Sequence, residues 1–233
     1  MARFLLVHGS NHGAWCWRDV IPALEALGHQ AEALDLPGSG DDATPPAEVT
    51  LASYSAAIRA RLNEPTVLVG HSAGGFAITQ AAEDDPRHIA RLVYLCAYLP
   101  RPGASLIELK AEAPEQPLTG ALELNGDRST FRFSDASLAA NLYPDCPEVL
   151  DYTRAHLGWQ ALAPQRSPVS YSGQGAALPK SYILCTEDRV IPPAHQRAMA
   201  AGLAPEDLHE LHTGHSPFFA DPEALARLLD RLV

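Results

Sequence analysis

Val67-Leu68-Val69-Gly70-His71-Ser72-Ala73-Gly74-Gly75 is the stretch that decides how this chain folds. Three apolar, mostly β-branched residues read as a buried strand, and Phe76, Ala77, Ile78 and Ala81 continue past the glycines with helical spacing. Between them stands G-x-S-x-G, a serine with a glycine two residues away on either side. In a strand–turn–helix setting this serine occupies a sharp, strained turn, and the glycines let the strand and helix backbones pass closely. A hydroxyl held there projects above the carboxyl edge of a sheet, where it can serve as a nucleophile.

A lone serine hydroxyl is a weak nucleophile, so the motif calls for an acid and a histidine later in the chain, in that order. The apolar run at 180–185 leads into Thr186-Glu187-Asp188-Arg189-Val190-Ile191-Pro192. Glu187 and Asp188 both stand at the carboxyl end of a strand, and position alone leaves either open. Further on, His212-Thr213-Gly214-His215-Ser216-Pro217 forms a glycine-bearing loop ahead of the last helix, and His215 is the candidate general base. His209 and His212 belong to the preceding strand, His195 starts a helix and His71 fills the variable position of the motif, so these four receive no catalytic role. An acyl-transfer site also needs two backbone N–H groups aimed at the developing oxyanion. The amide of Ala73 opens a helix and has no intrahelical partner, while Ser10 lies in the loop His8-Gly9-Ser10-Asn11-His12-Gly13 after the first strand.

Outward from these loops the chain alternates strands and helices, the pattern of a mostly parallel sheet flanked by helices. Strands are expected at 4–7, 31–35, 66–69, 92–96, 180–185 and 208–211. Leu51, Tyr54, Ile58 and Leu62 form one apolar stripe after Thr50, and Leu225, Leu228, Leu229 and Leu232 form another after the cap Asp221-Pro222. Residues 99–179 break the alternation and hold nine of the twenty prolines. A structureless loop of that length is improbable in a compact domain, so this stretch is expected to be a mainly helical cap inserted into a core formed by 1–98 and 180–233.

With 233 residues, 46% hydrophobic and 19% charged, the chain has the composition of one globular domain able to remove roughly 70% of its unfolded surface from water. A formal charge of -11 opposes binding to nucleic acid or anionic membranes, and no apolar run approaches the roughly 20 residues needed to span a bilayer. The opening residues read as a strand rather than a signal segment. Cys16, Cys96, Cys146 and Cys185 are widely spaced, as expected of reduced thiols in a cytoplasmic protein. HExxH, Walker and G-x-G-x-x-G signatures are missing, so neither metal nor cofactor is implied.

Taken together, Phe4-Leu5-Leu6-Val7-His8-Gly9, His12-Gly13-Ala14-Trp15, Leu34-Asp35-Leu36-Pro37-Gly38-Ser39-Gly40, the Ser72 motif and Cys185-Thr186-Glu187-Asp188 resemble the α/β-hydrolase superfamily. Within it they are similar to the compact branch of plant methylesterases, hydroxynitrile lyases and related bacterial esterases. The resemblance implies an α/β-hydrolase fold with Ser72 as nucleophile, Asp188 rather than Glu187 as the acid, His215 as base, and Ser10 and Ala73 as oxyanion donors. Hydroxynitrile lyases of the branch carry Thr or Asn at the position of Gly9, and some carry Lys at that of Ser216, so both departures point to ester hydrolysis. The expected activity is hydrolysis of small, largely apolar or aryl esters through an acyl-enzyme, by a monomer or homodimer. The cap residues Leu106, Leu118, Phe131, Phe133, Tyr143, Tyr152 and Trp159 are the candidates for an apolar pocket. Two rivals stand beside this reading: a hydroxynitrile lyase on the same triad, and a small-molecule receptor on a hydrolase fold.

Overall fold

The structure, a computed structural model, describes residues 1–233 and is built on a six-stranded sheet. Its strands are β1 (Arg3–Val7), β2 (Gln30–Leu34), β3 (Thr66–His71), β4 (Ile89–Leu95), β8 (Lys180–Cys185) and β9 (Leu208–Leu211). They lie in the order β2-β1-β3-β4-β8-β9, and every adjacent pair is parallel. All six expected strands are present. Their ends differ because strand limits follow hydrogen bonding to a neighbour: β3 continues through Gly70 and His71, which pair with Tyr94 and Leu95 of β4.

Helices on both faces explain why the central strands are apolar without alternation. Phe4, Leu5, Leu6 and Val7 of β1 have no exposed surface, and all of β3 is buried. Each such side chain contributes roughly 1.5–3 kcal/mol through burial. Helix α2 (Leu51–Arg59) packs on α3 (Gly74–Asp84), burying Leu51, Tyr54 and Ile58 as its stripe requires. It starts with a capping box in which Thr50 and Ser53 satisfy each other's backbone N–H groups, a device worth about 1 kcal/mol. Helix α1 (Val20–Ala26) packs on the C-terminal helix Pro222–Asp230, which buries Leu225, Leu228 and Leu229. No helix is long and apolar enough to cross a membrane.

The insertion between β4 and β8 opens with α4 (Leu106–Ala111) and continues through short helices, as its proline content demands. It also holds an antiparallel sheet of β5 (Leu122–Leu124), β6 (Thr130–Phe133) and β7 (Gln160–Ala161), which the expectation of a mainly helical insertion did not include. Strands of two to four residues are too short for an alternating pattern to register.

Strand order positions the site. The chain leaves β1 towards β2 on one side, while β3 lies on the other, so the loops after β1 and β3 diverge and open a cleft above the sheet. Ser10 follows β1, Ser72 follows β3, Asp188 follows β8 and His215 follows β9, all at the carboxyl edge.

Candidate active site

Ser72 sits between the last residue of β3 and α3 with φ +53, a left-handed conformation that is unusual for a residue with a side chain. Its neighbours make the strain possible. A Cβ at Gly70 would stand 2.8 Å from the Gly74 carbonyl oxygen, and one at Gly74 would stand 2.8 Å from the His8 carbonyl oxygen. Side chains at either position would push α3 away from β3 and β1. The Ser72 carbonyl accepts from Tyr98 N–H at 3.1 Å and its N–H donates to Leu95 at 3.2 Å, so the turn is held from both sides.

One hydrogen-bonded chain runs through the three expected residues. Ser72 Oγ lies 3.1 Å from His215 Nε2, and His215 Nδ1 lies 2.8 Å from Asp188 Oδ2. Asp188 can only accept, so Nδ1 carries the proton and Nε2 is left to accept from the serine. All three residues are buried, while Glu187, the other acid that position allowed, is exposed. The Asp188 carboxylate is saturated with donors: Val190 N–H at 2.7 Å and Ile191 N–H at 2.9 Å on Oδ1, and Gln196 Nε2 at 2.9 Å on Oδ2. This fixes its orientation and compensates its burial. Gln196 carried no signal in the sequence, because it reaches the acid from a separate helix, Pro193–Ala200.

The backbone around His215 is equally constrained. His71 Nε2 donates to the His215 carbonyl at 2.8 Å, and Asp145 of the insertion accepts from Gly214 N–H at 2.6 Å. His71 is therefore a positioning residue, and so is Asp145, which only the tertiary fold brings to this loop. Burial pushes the imidazoles of His8, His12 and His71 below their usual range, His12 to about 3, so three neutral rings surround the site. His71, Cys96 and His215 offer donor atoms within 4.8 Å of one another, the combination a metal would need. Both nitrogens of His215 are already engaged by Ser72 and Asp188, and burial holds the Cys96 thiol well above its ordinary pKa. The donor set suits proton transfer rather than a metal.

Ser10, Ser72 and Ala73 line one cavity of ≈ 250 Å³. Neither the Ser10 nor the Ala73 N–H donates to an acceptor within the protein. The Ser10 loop is clamped by the insertion. Asn11 Nδ2 donates to the Phe131 and Gly158 carbonyls at 2.9 and 2.8 Å, Asn11 N–H donates to Gln160 Oε1 at 3.2 Å, and Gln165 Nε2 reaches Ser10 Oγ at 3.2 Å. Of the cap residues expected in the pocket, Leu106, Leu118, Phe131 and Phe133 line it. Tyr143, Tyr152 and Trp159 do not. Tyr143 is buried and hydrogen-bonded to His12, Tyr152 lies under the Arg18 guanidinium, and Trp159 lies under that of Arg132. Aromatic character alone did not separate pocket walls from packing. Lys110 and Gln165, polar residues of the lining, were not expected there.

A family model described as the alpha/beta hydrolase family matches residues 4–228. Methylesterase 2 of Arabidopsis thaliana is 34% identical, over 96% of this chain and 92% of its own length. Among solved structures, a pyrethroid hydrolase from Sphingobium faniae superimposes with a TM-score of 0.85 at 26% identity, covering 99% of this chain and 96% of its own. Polyneuridine aldehyde esterase gives a TM-score of 0.87 at 23% identity, covering 100% and 98%, which bears on the fold alone. A match over nearly the whole chain, on a parallel sheet whose carboxyl edge carries the serine turn, leaves one assignment: the chain belongs to the α/β-hydrolase family, in the branch of the plant methylesterases.

Proposed function

We propose that this chain, a carboxylic ester hydrolase of the α/β-hydrolase family, acts on small, largely apolar or aryl esters through an acyl-enzyme formed on Ser72. The observation that carries the proposal is the relay Asp188–His215–Ser72, with contacts of 2.8 and 3.1 Å, at the wall of a mostly apolar cavity. His215 Nε2 takes the Ser72 proton as Oγ attacks the ester carbonyl. Asp188 holds the imidazole tautomer and stabilises the imidazolium that forms. The Ser10 and Ala73 amides, with no acceptor in the protein, donate to the oxyanion; one such donor is worth roughly 10²–10³ in kcat. His215 returns its proton to the departing alcohol, then activates water to release the acid. Residues 99–179 act as a cap that closes the cavity, and substrate choice lies in its lining.

Gly9 favours hydrolysis over cyanohydrin cleavage. A Cβ there would stand 2.8 Å from Ser72 Cβ and 2.9 Å from His71 Nδ1, so the position has neither a side-chain donor nor room for one. Four buried, unpaired cysteines suit a reducing, cytoplasmic setting. The partner is the small-molecule ester itself, turned over by a monomer or homodimer. A panel of p-nitrophenyl and aryl methyl esters tests the reading: turnover that disappears in Ser72→Ala supports it, and turnover that survives the substitution refutes it.

A further inference from the structure

Lys110 is one of two lysines in the chain, and the two are used differently. Lys180 Nζ donates to the carbonyls of Gly175, Ala176 and Leu178 at 3.2, 3.0 and 3.2 Å, a structural role that occupies all three of its protons. Lys110 has no such set of partners. The acids two residues away on either side are taken: Glu108 by the hydroxyl and amide of Ser105 in a capping box, and Glu112 by the Arg101 guanidinium. No counter-charge offsets its desolvation, and burial alone lowers the pKa of its ammonium.

Its location gives this isolation a meaning. Leu106, Ile107 and Lys110 share the face of α4 that looks into the Ser72 cavity, at the spacings that place helical residues on one side. Lys110 is the single charged residue in a lining of 15, of which 11 are hydrophobic. An unpaired ammonium at an apolar wall is unfavourable unless a ligand supplies the opposite charge.

We propose that Lys110 is a specificity-determining residue, and that the preferred substrates are esters of mainly apolar acids bearing a carboxylate away from the scissile bond. The proposal rests on the esterase reading above. A carboxylate entering an apolar cavity loses its hydration, so the cavity rejects it without a cation. Lys110 repays that loss through a charge-assisted hydrogen bond of about 2.7–2.9 Å. The overall charge of -11 slows an anion's approach. Salt screens that field over about 8 Å at physiological ionic strength, whereas the lysine acts at contact.

A cavity of ≈ 250 Å³ suits single-ring esters, so the test compares methyl 4-carboxybenzoate and methyl 3-carboxybenzoate with methyl 4-methylbenzoate and methyl 3-methylbenzoate. For wild type, kcat/KM for at least one carboxylated ester should equal or exceed that for its neutral partner. Lys110→Met should lower this charged-to-neutral ratio at least about tenfold, the size expected of a charged hydrogen bond, and Lys110→Arg should preserve it within about threefold. A smaller fall in Lys110→Met overturns the proposal. So does a wild type that hydrolyses the neutral esters and rejects both charged ones, a result that leaves the esterase reading in place. A wild type that hydrolyses none of the four, nor any p-nitrophenyl ester, overturns the esterase reading itself and the proposal with it.

Discussion

Asp188→Asn keeps the volume of the side chain and removes its charge, and the surroundings dictate how the new amide must lie. Oδ1 receives the N–H groups of Val190 and Ile191 at 2.7 and 2.9 Å, so the asparagine oxygen takes that place and its NH₂ replaces Oδ2. There it faces His215 Nδ1, 2.8 Å from the present oxygen, and Gln196 Nε2, 2.9 Å from it. The NH₂ group can only donate, so His215 keeps a hydrogen bond only with a bare Nδ1 and its proton on Nε2. That nitrogen faces Ser72 Oγ at 3.1 Å and can no longer accept the serine proton. This orientation sets the NH₂ against one donor, Gln196 Nε2, whereas the opposite amide flip would oppose it to two backbone donors, at about 1–3 kcal/mol for each group left unsatisfied. A histidine held in the wrong tautomer lowers kcat by about 10⁴, or roughly 5.4 kcal/mol of barrier. Initial rates on p-nitrophenyl acetate, with melting temperatures as a check on folding, measure the effect. If a folded Asp188→Asn enzyme keeps more than about a tenth of wild-type kcat, or if Glu187→Gln has the larger defect, the assignment of the acid is wrong.

Ser72→Ala should lower kcat by about 10⁴ or more with the fold intact, and labelling by a fluorophosphonate should vanish; a labelled Ser72→Ala protein would refute the nucleophile. Gly9→Thr should reduce aryl ester hydrolysis at least about tenfold, because its Cβ starts 2.8 Å from Ser72 Cβ. Wild type should release no cyanide from mandelonitrile, and rapid release with aryl esters left intact would reverse the choice between hydrolase and lyase. Stability should depend on acid through His8, His12 and His71, whose folded pKa values lie below the ordinary 6.5. These rings are neutral when folded and take up protons when unfolded. Their contribution is therefore complete above about pH 6.5 and is lost as pH falls, by up to about 1.4 kcal/mol per pH unit for each ring. Urea midpoints that stay flat between pH 7 and pH 5 would contradict this.

The local geometry of the candidate site was legible in the sequence because each piece lies within a few residues of a strand end. Gly70, Ser72 and Gly74 specify a strained turn by their identities, and the same loop supplies the Ala73 amide. The order of Ser72, Asp188 and His215 along the chain, together with apolar runs ahead of each, was enough to place all three above one sheet edge. The choice of Asp188 over Glu187 needed more than spacing. In the structure the turn buries Asp188 and exposes Glu187, with Val190 and Ile191 donating back to Asp188. Contacts between distant segments left no local trace. Gln196 on Asp188, Asp145 on Gly214 and Asn11 on β6 are single polar side chains whose roles arise only when separate elements converge. The small sheet of the insertion was hidden for a related reason, since strands of two to four residues are defined by their partners rather than by their own pattern. Whether Leu118 or Tyr143 faces the cavity, and whether Lys110 finds a carboxylate, depends on packing across elements far apart in the chain. Hydrophobicity decides that a side chain is buried, but only the tertiary structure decides against what.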